Sequence, residues 1–172
     1  MTVDAPPRGI GEPFAIRDAN ERDVPLILAF IRELAEYEHL SGAVSASEAG
    51  LGAALFGERP AAEVIIGEFT GQPVGFAVFF QNFSTFVGRP GLYLEDLFVR
   101  PAYRGRGFGT RLLVRLAQIA LERGFGRMEW AVLDWNELAL GVYRRIGAEA
   151  MNDWTVHRLT GDALAALARK QT

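Results

Sequence analysis

Short alternating apolar runs and two long stripes of helical period lay out most of the elements in this chain. Phe14-Ala-Ile-Arg-Asp18 alternates like a half-buried first strand. Asn20 then caps a helix, with Asp23 completing a shortened capping box and Pro25 tolerated in the first turn. Val24, Ile27, Leu28, Ile31, Leu34 and Ala35 share one face of that helix, and Glu36-Tyr37-Glu38-His39 is its polar end. Ser45-Ala-Ser-Glu48 reads as a second capping box, opening a short helix through residue 56. Two strands, 62–68 and 73–83, follow around Gly71-Gln72. The second is apolar enough (Val74, Phe76, Val78, Phe79, Phe80) to be buried on both faces.

A turn around Gly88-Arg-Pro-Gly91 leads into a strand over 92–99. The second helical stripe is Leu112, Leu113, Leu116, Ile119 and Ala120, in a helix over 107–123 closed by Gly124. Residues 128–133 read as a strand, Asn136 caps a helix running to 145 that Gly147 stops, and 154–159 reads as a last strand. A short helix over 162–169 ends the pattern. Residues 1–13 carry three prolines and no periodicity, and are expected to form a loose arm. With no repeat or linker in 14–172, the expectation is one α/β domain. Its mixed sheet is flanked by helices, with a loop between a central strand and the following helix.

Composition narrows the chemistry. The 172 residues are 49% hydrophobic and 23% charged, enough for one sizeable core. A net charge of -3 argues against a nucleic-acid-binding face. No apolar run approaches membrane-spanning length and no basic-then-apolar leader pattern is present, so a cytoplasmic location is expected. Cysteine is absent, which removes disulfides, thiolate metal sites and a cysteine acyl-enzyme. The two histidines, His39 and His157, have no metal-ligand spacing and stay unassigned, so no metal is expected. Neither a Gly-x-Ser-x-Gly elbow nor a P-loop ending occurs.

What remains is the segment Arg104-Gly-Arg-Gly-Phe-Gly-Thr110. Gly105, Gly107 and Gly109 strip side chains from the start of a helix, so backbone N–H groups converge where the helix dipole is positive. Arg104 and Arg106 add charge able to fork onto phosphate oxygens. This is a cradle for a phosphorylated cofactor. A dinucleotide loop is one alternative, with Glu129 or Asp134 offered as the ribose-binding acid. Against it, Arg100-Pro-Ala-Tyr-Arg104 separates strand from loop, and too few residues follow for a doubly wound sheet. A plain tight turn is the other alternative.

With Leu94-Glu-Asp-Leu-Phe-Val99 before the loop and Asn136 and Tyr143 after it, the sequence resembles the GNAT acetyltransferases. Arg104, Gly107 and Gly109 match their Arg/Gln-x-x-Gly-x-Gly/Ala pattern. Glu36-Tyr-Glu-His-Leu40 and Ala131-Val-Leu-Asp-Trp-Asn136 bring it closest to the diamine and thialysine branch. The resemblance implies a GNAT-like domain, acetyl-CoA as cosubstrate, a small-molecule primary amine as acceptor, and a homodimer. A protein or antibiotic amine, or a CoA-binding domain without catalysis, are the other readings.

The resemblance also implies residue roles. Leu97, Phe98 and Val99 would pair their backbone with the pantetheine arm, and Arg104, Gly105, Arg106, Gly107, Phe108, Gly109 and Thr110 would hold the pyrophosphate. Asn136 would touch the cofactor, although read alone it is a helix cap. Tyr143, alone an amphipathic packing residue, would be the general acid, since a phenol is protonated at neutral pH. Glu95 and Asp96 stand adjacent in an apolar strand, where period two sends them to opposite faces. Glu95 is implied on the substrate side as base or amine ligand, and Asp96 reads as the structural acid. Tyr37 and Glu38, alone a solvated helix end, would line the amine site. At Phe83-Ser-Thr-Phe86 the chain has Ser84 and Thr85 where the polyamine branch tends to carry an acid, which favours a lysine-like or aminoalkyl acceptor.

Overall fold

The computed structural model describes residues 14–170, so the expected arm over 1–13 lies outside the described residues. The chain divides between Ala131 and Val132 into two compact units. The first holds a five-stranded sheet in sequential order: β1 (Phe14–Asp18), β2 (Glu63–Phe69), β3 (Gln72–Ser84), β4 (Arg89–Val99) and β5 (Met128–Trp130). The first four strands are antiparallel neighbours and β5 runs parallel to β4. Helices α1 (Val24–Tyr37), α2 (Glu48–Phe56) and α3 (Phe108–Glu122) complete this unit.

Asn20 starts the path into α1 as expected. Its side chain accepts from the Arg22 N–H at 3.0 Å, and Asp23 Oδ2 accepts from the Asn20 N–H at 2.8 Å. The box closes a short 3-10 turn, Glu21–Asp23, that runs into α1 with Pro25 in its first turn. Arg17 holds Asp23 from β1 through two bonds at 2.7 and 2.8 Å, which lowers the Asp23 pKa. For α2 the cap is Ser47, whose Oγ accepts from the Gly50 N–H. That is two residues later than the Ser45 box, because Ser47 already has the extended backbone a cap needs.

One apolar layer joins α1 and α2 to the sheet: Ile27, Phe30, Leu55, Val64, Phe76, Val78 and Phe98. Phe30, outside the expected stripe, is fully buried and stacks on Phe76 at 5.1 Å. On α3 the stripe Leu112, Leu113, Leu116, Ile119 and Ala120 is buried as expected, and Phe108 stacks on Phe14 at 4.1 Å. From Val74 to Phe79, β3 is buried on both faces. The β3–β4 turn comes earlier than Gly88–Gly91, and β4 already begins at Arg89.

The second unit carries α4 (Glu137–Arg145) and α5 (Gly161–Ala168). Residues 154–159 are not a strand: Trp154 and Val156 are 70% and 80% exposed, and this unit has no strand among its described residues for them to pair with. Alternation alone does not make a strand, since its backbone groups need a partner. No described helix is long and apolar enough to cross a membrane.

Candidate active site

The site begins with an irregularity in β4. Across the β3–β4 ladder, Phe80 faces Tyr93, Phe79 faces Leu94, and Val78 faces Asp96, so Glu95 is an extra residue opposite nothing. A bulge of this kind reverses the parity of the strand. Because cross-strand partners share a face, Tyr93, Asp96 and Phe98 lie on the face of Phe80, Val78 and Phe76, toward α1. Leu97 and Val99 take the other face, beside Gly109 of α3.

On its second edge β4 pairs with β5 only from Leu92 to Leu94. Among the described residues, no strand covers that edge from Glu95 to Val99, where the Val99 carbonyl accepts instead from Arg104 Nε. This free edge runs into the glycine loop. Arg100 secures the junction: its Nε and Nη2 donate to Glu33 of α1 at 2.9 and 2.7 Å, and its Nη1 donates to the Pro73 carbonyl at 3.0 Å.

A 3-10 turn, Pro101–Tyr103, then delivers Gly105 and Gly107 at φ 75° and 79°, a left-handed backbone that favours glycine. Gly107 is the residue before α3, and no side chain caps that helix. The first-turn N–H groups of Phe108, Gly109 and Thr110 are thus left without a side-chain acceptor, as a diphosphate site requires. The two loop arginines lie differently from one another. Arg106 is exposed, its guanidinium 5.3 Å from the Phe69 ring centre. Arg104 folds back: its Nε donates to the Val99 carbonyl at 2.9 Å, and its guanidinium sits 4.2 Å over Tyr37 and 5.6 Å over Phe98.

Three acids gather where α1 ends beside β4. Glu95 is exposed, while Asp96 is half-buried and its pKa is pushed up to about 6, chiefly by burial, then by the charges of Glu95 and Glu38. Burial also raises Glu38. Asp96 is therefore the perturbed carboxyl of the pair. The sequence signal for it is an acid in an apolar strand; the bulge that decides its face is not visible in the alternation.

Ser84 has a structural task. It is buried, its Oγ accepts from the Val87 N–H at 3.2 Å and from Arg127 Nη1 at 3.0 Å, and it stabilises the hairpin tip. Glu129, the candidate ribose acid, accepts from Asn82 at 2.9 Å and pairs with Arg127 at 2.8 Å. In the second unit, Asn136 Oδ1 accepts from the Ala139 N–H at 3.2 Å and so caps α4. Tyr143 lies half-buried seven residues on along that helix.

A half-free strand running from a bulge into an uncapped, glycine-led helix, with acids alongside, defines a group transferase working from a phosphorylated donor. The chain belongs to the GNAT family of acetyltransferases: the model described as "Acetyltransferase (GNAT) family" matches residues 28–148, across both units. It is an N-acetyltransferase, and the family uses acetyl-CoA as acetyl donor; the dinucleotide reading is set aside.

Among curated relatives, thialysine N-epsilon-acetyltransferase of Bos taurus is 40% identical, over 90% of this chain and 97% of its own. L-ornithine N5-acetyltransferase of Arabidopsis thaliana is 34% identical, over 88% and 86%. An integron cassette protein from the mobile metagenome of V. cholerae has a similar solved structure, with a TM-score of 0.78 and 27% identity over 93% of this chain and all of its own.

Proposed function

We propose that this enzyme acetylates the primary amine of a small lysine-, ornithine- or diamine-like molecule by direct transfer, as one acetyltransferase domain. The observation that carries the reading is the convergence on β4 of a free backbone edge, an anion-ready loop and the acids Glu38, Glu95 and Asp96. The names of the relatives, thialysine and ornithine acetyltransferases, support an acceptor with a terminal amine on a short alkyl chain.

Acetyl-CoA supplies an activated thioester. The backbone from Gly105 to Thr110 holds its pyrophosphate with Arg106 nearby, and the free edge of Leu97, Phe98 and Val99 aligns the pantetheine arm as an added strand would lie. The bulge at Glu95 takes backbone groups out of the β3 ladder, and an N–H released there suits a carbonyl that must be polarised. Glu38 and Asp96 draw the cationic amine, Tyr37 gives it an aromatic wall, and exposed Glu95 takes its proton toward water. Tyr143 holds the proton that the departing thiolate needs, and Asn136 sets the start of the helix that carries it.

We infer a cytoplasmic homodimer; the exposed apolar side chains Trp154 and Val156 support the assembly alone. Gel filtration with light scattering tests that assembly. The reaction is tested by thiol release from acetyl-CoA with thialysine, lysine, ornithine, putrescine, spermidine and an aminoglycoside. Selective turnover of one short alkylamine is expected. Turnover of the aminoglycoside alone would overturn the acceptor class.

A further inference from the structure

The face of the sheet that carries Asp96 carries a second pair of charges as well. Tyr93 pairs with Phe80 on β3 and with Glu129 on β5, so these three side chains share that face. Asp96 lies level with Val78, two residues along β3 from Phe80, and Glu129 lies one strand over from Tyr93. Ordinary strand spacings then set the backbones of Asp96 and Glu129 about 8 Å apart. Tyr93 stands at the corner between them, half-buried, with its ring 5.1 Å from that of Phe80.

Arg127, two residues before Glu129, pairs through Nη2 with Glu129 Oε2 at 2.8 Å, and the two side chains are 37% and 36% exposed. Much of their bonding capacity is unspent. Asn82 Nδ2 also donates to Oε2, at 2.9 Å, which leaves Oε1 outside both bonds. Arg127 makes one further bond, from Nη1 to Ser84 Oγ at 3.0 Å, and so uses two of its five donors. The Asn82 amide is turned to serve Glu129, and its own Oδ1 stays buried without a hydrogen-bond partner. Buried acceptors are normally paired, so this cluster holds Glu129 in place at the expense of its amide.

We propose that Arg127 and Glu129 form a head-group subsite, Arg127 for the α-carboxylate and Glu129 for the α-ammonium of an amino-acid acceptor. The terminal amine then lies at Asp96 and Glu38, and the alkyl chain crosses Tyr93. The enzyme accordingly selects basic α-amino acids with three or four methylenes over diamines of the same length. A diamine answers Glu129 but sets its second ammonium beside the Arg127 charge and leaves the guanidinium without an anion. The inference rests on the acceptor reading given above and narrows it.

The test measures kcat/KM by thiol release from acetyl-CoA in wild type, Arg127→Gln, Arg127→Lys and Glu129→Gln. The acceptors are ornithine and lysine, their carboxylate-free counterparts putrescine and cadaverine, and Nα-acetyl-ornithine, which lacks the α-ammonium. Wild type should prefer ornithine over putrescine, or lysine over cadaverine, by at least about tenfold, the range of a charge-assisted two-point contact. Arg127→Gln should bring that ratio down to about one. Arg127→Lys, which keeps the charge but not the fork, should recover part of it. Glu129→Gln should lose the preference of wild type for ornithine over its Nα-acetyl form. Equal use of amino acid and diamine by wild type would overturn the proposal without recourse to any variant. Losses in Arg127→Gln that are equal for ornithine and putrescine would make the pair a tie within the hairpin, and would overturn it as well. The acceptor reading fails differently: wild type then turns over no alkylamine, and the proposal falls with it.

Discussion

Asp96 offers the most direct quantitative test, because its burial has a cost that can be switched off by pH. Its carboxyl is raised from an ordinary 3.8 to about 6 by burial and by the neighbouring charges of Glu95 and Glu38. The folded protein therefore holds this proton more tightly than the unfolded chain. Below pH 3.8 both states are protonated and nothing is lost. Between 3.8 and about 6 the unfolded chain releases the proton first, so stability falls as pH rises, and above about 6 the loss is complete. At 1.36 kcal/mol for each pH unit between the two values, the full cost is about 3 kcal/mol, and relaxation around the charge brings the expected range to about 1–3 kcal/mol. Asp96→Asn keeps the shape and removes the charge. It should differ little from wild type at pH 4 and melt higher at pH 7.5 by about 2–12 °C, given about 2–4 °C per kcal/mol for a chain of this size. Thermal melts of both proteins from pH 4 to 8 provide the measurement. A melting difference that does not change with pH, or an Asp96→Asn protein less stable at pH 7.5, would refute the reasoning. The added stability should come with a higher amine KM, as expected where a charge is kept for function at the expense of the fold.

Other substitutions probe the remaining parts. Tyr143→Phe should lower kcat at least tenfold with CoA affinity unchanged by calorimetry; an unaltered kcat would remove Tyr143 as the acid. Glu95→Gln should lose most activity at low pH, where free amine is scarce, so a pH–rate profile that drops uniformly would make Glu95 an amine ligand instead. Gly107→Ala forces a side chain into a left-handed backbone at φ 79° and should cost about 1–3 kcal/mol, together with CoA affinity. Equal melting and equal CoA binding would show that the turn is not strained. Phe30→Ala empties a fully buried ring site between α1 and Phe76 and should lower stability by about 3–5 kcal/mol in a denaturant titration.

Local rules made the helices legible. The stripes of α1 and α3, the Asn20 box, the Asn136 cap and the glycine stops all rest on spacings within one or two turns. The glycine loop was legible for the same reason, since its left-handed residues are glycines and its helix start is bare. Long-range properties stayed hidden. The 154–159 segment has a strand's alternation, but pairing depends on a partner that alternation does not specify. Ser84 looked like a missing acid until Arg127, forty-three residues away, proved to be its partner. The contact between Arg104 and Tyr37 was hidden too, because it depends on α1 and the loop meeting across sixty-seven residues of chain.

The bulge is the most instructive of these cases, because a single extra residue changes the face on which an acid of β4 lies. With strict alternation, Glu95 and Asp96 take opposite faces and the choice between them rests on resemblance alone. Counting Glu95 out of the ladder instead sets Asp96 level with Tyr93 and Phe98, toward the polar end of α1 and the charge of Glu38. The same bulge comes immediately after Leu94, where the pairing with β5 ends, so the strand loses its neighbour where its register changes. One irregularity thus accompanies both the end of the pairing with β5 and the perturbed carboxyl, the two features on which the proposed donor and acceptor sites rest. Restoring regular pairing by deleting Glu95 should therefore abolish turnover through both substrates at once, raising the KM for acetyl-CoA as well as for the amine. A deletion variant that folds and loses only amine affinity would separate the two roles and break this link.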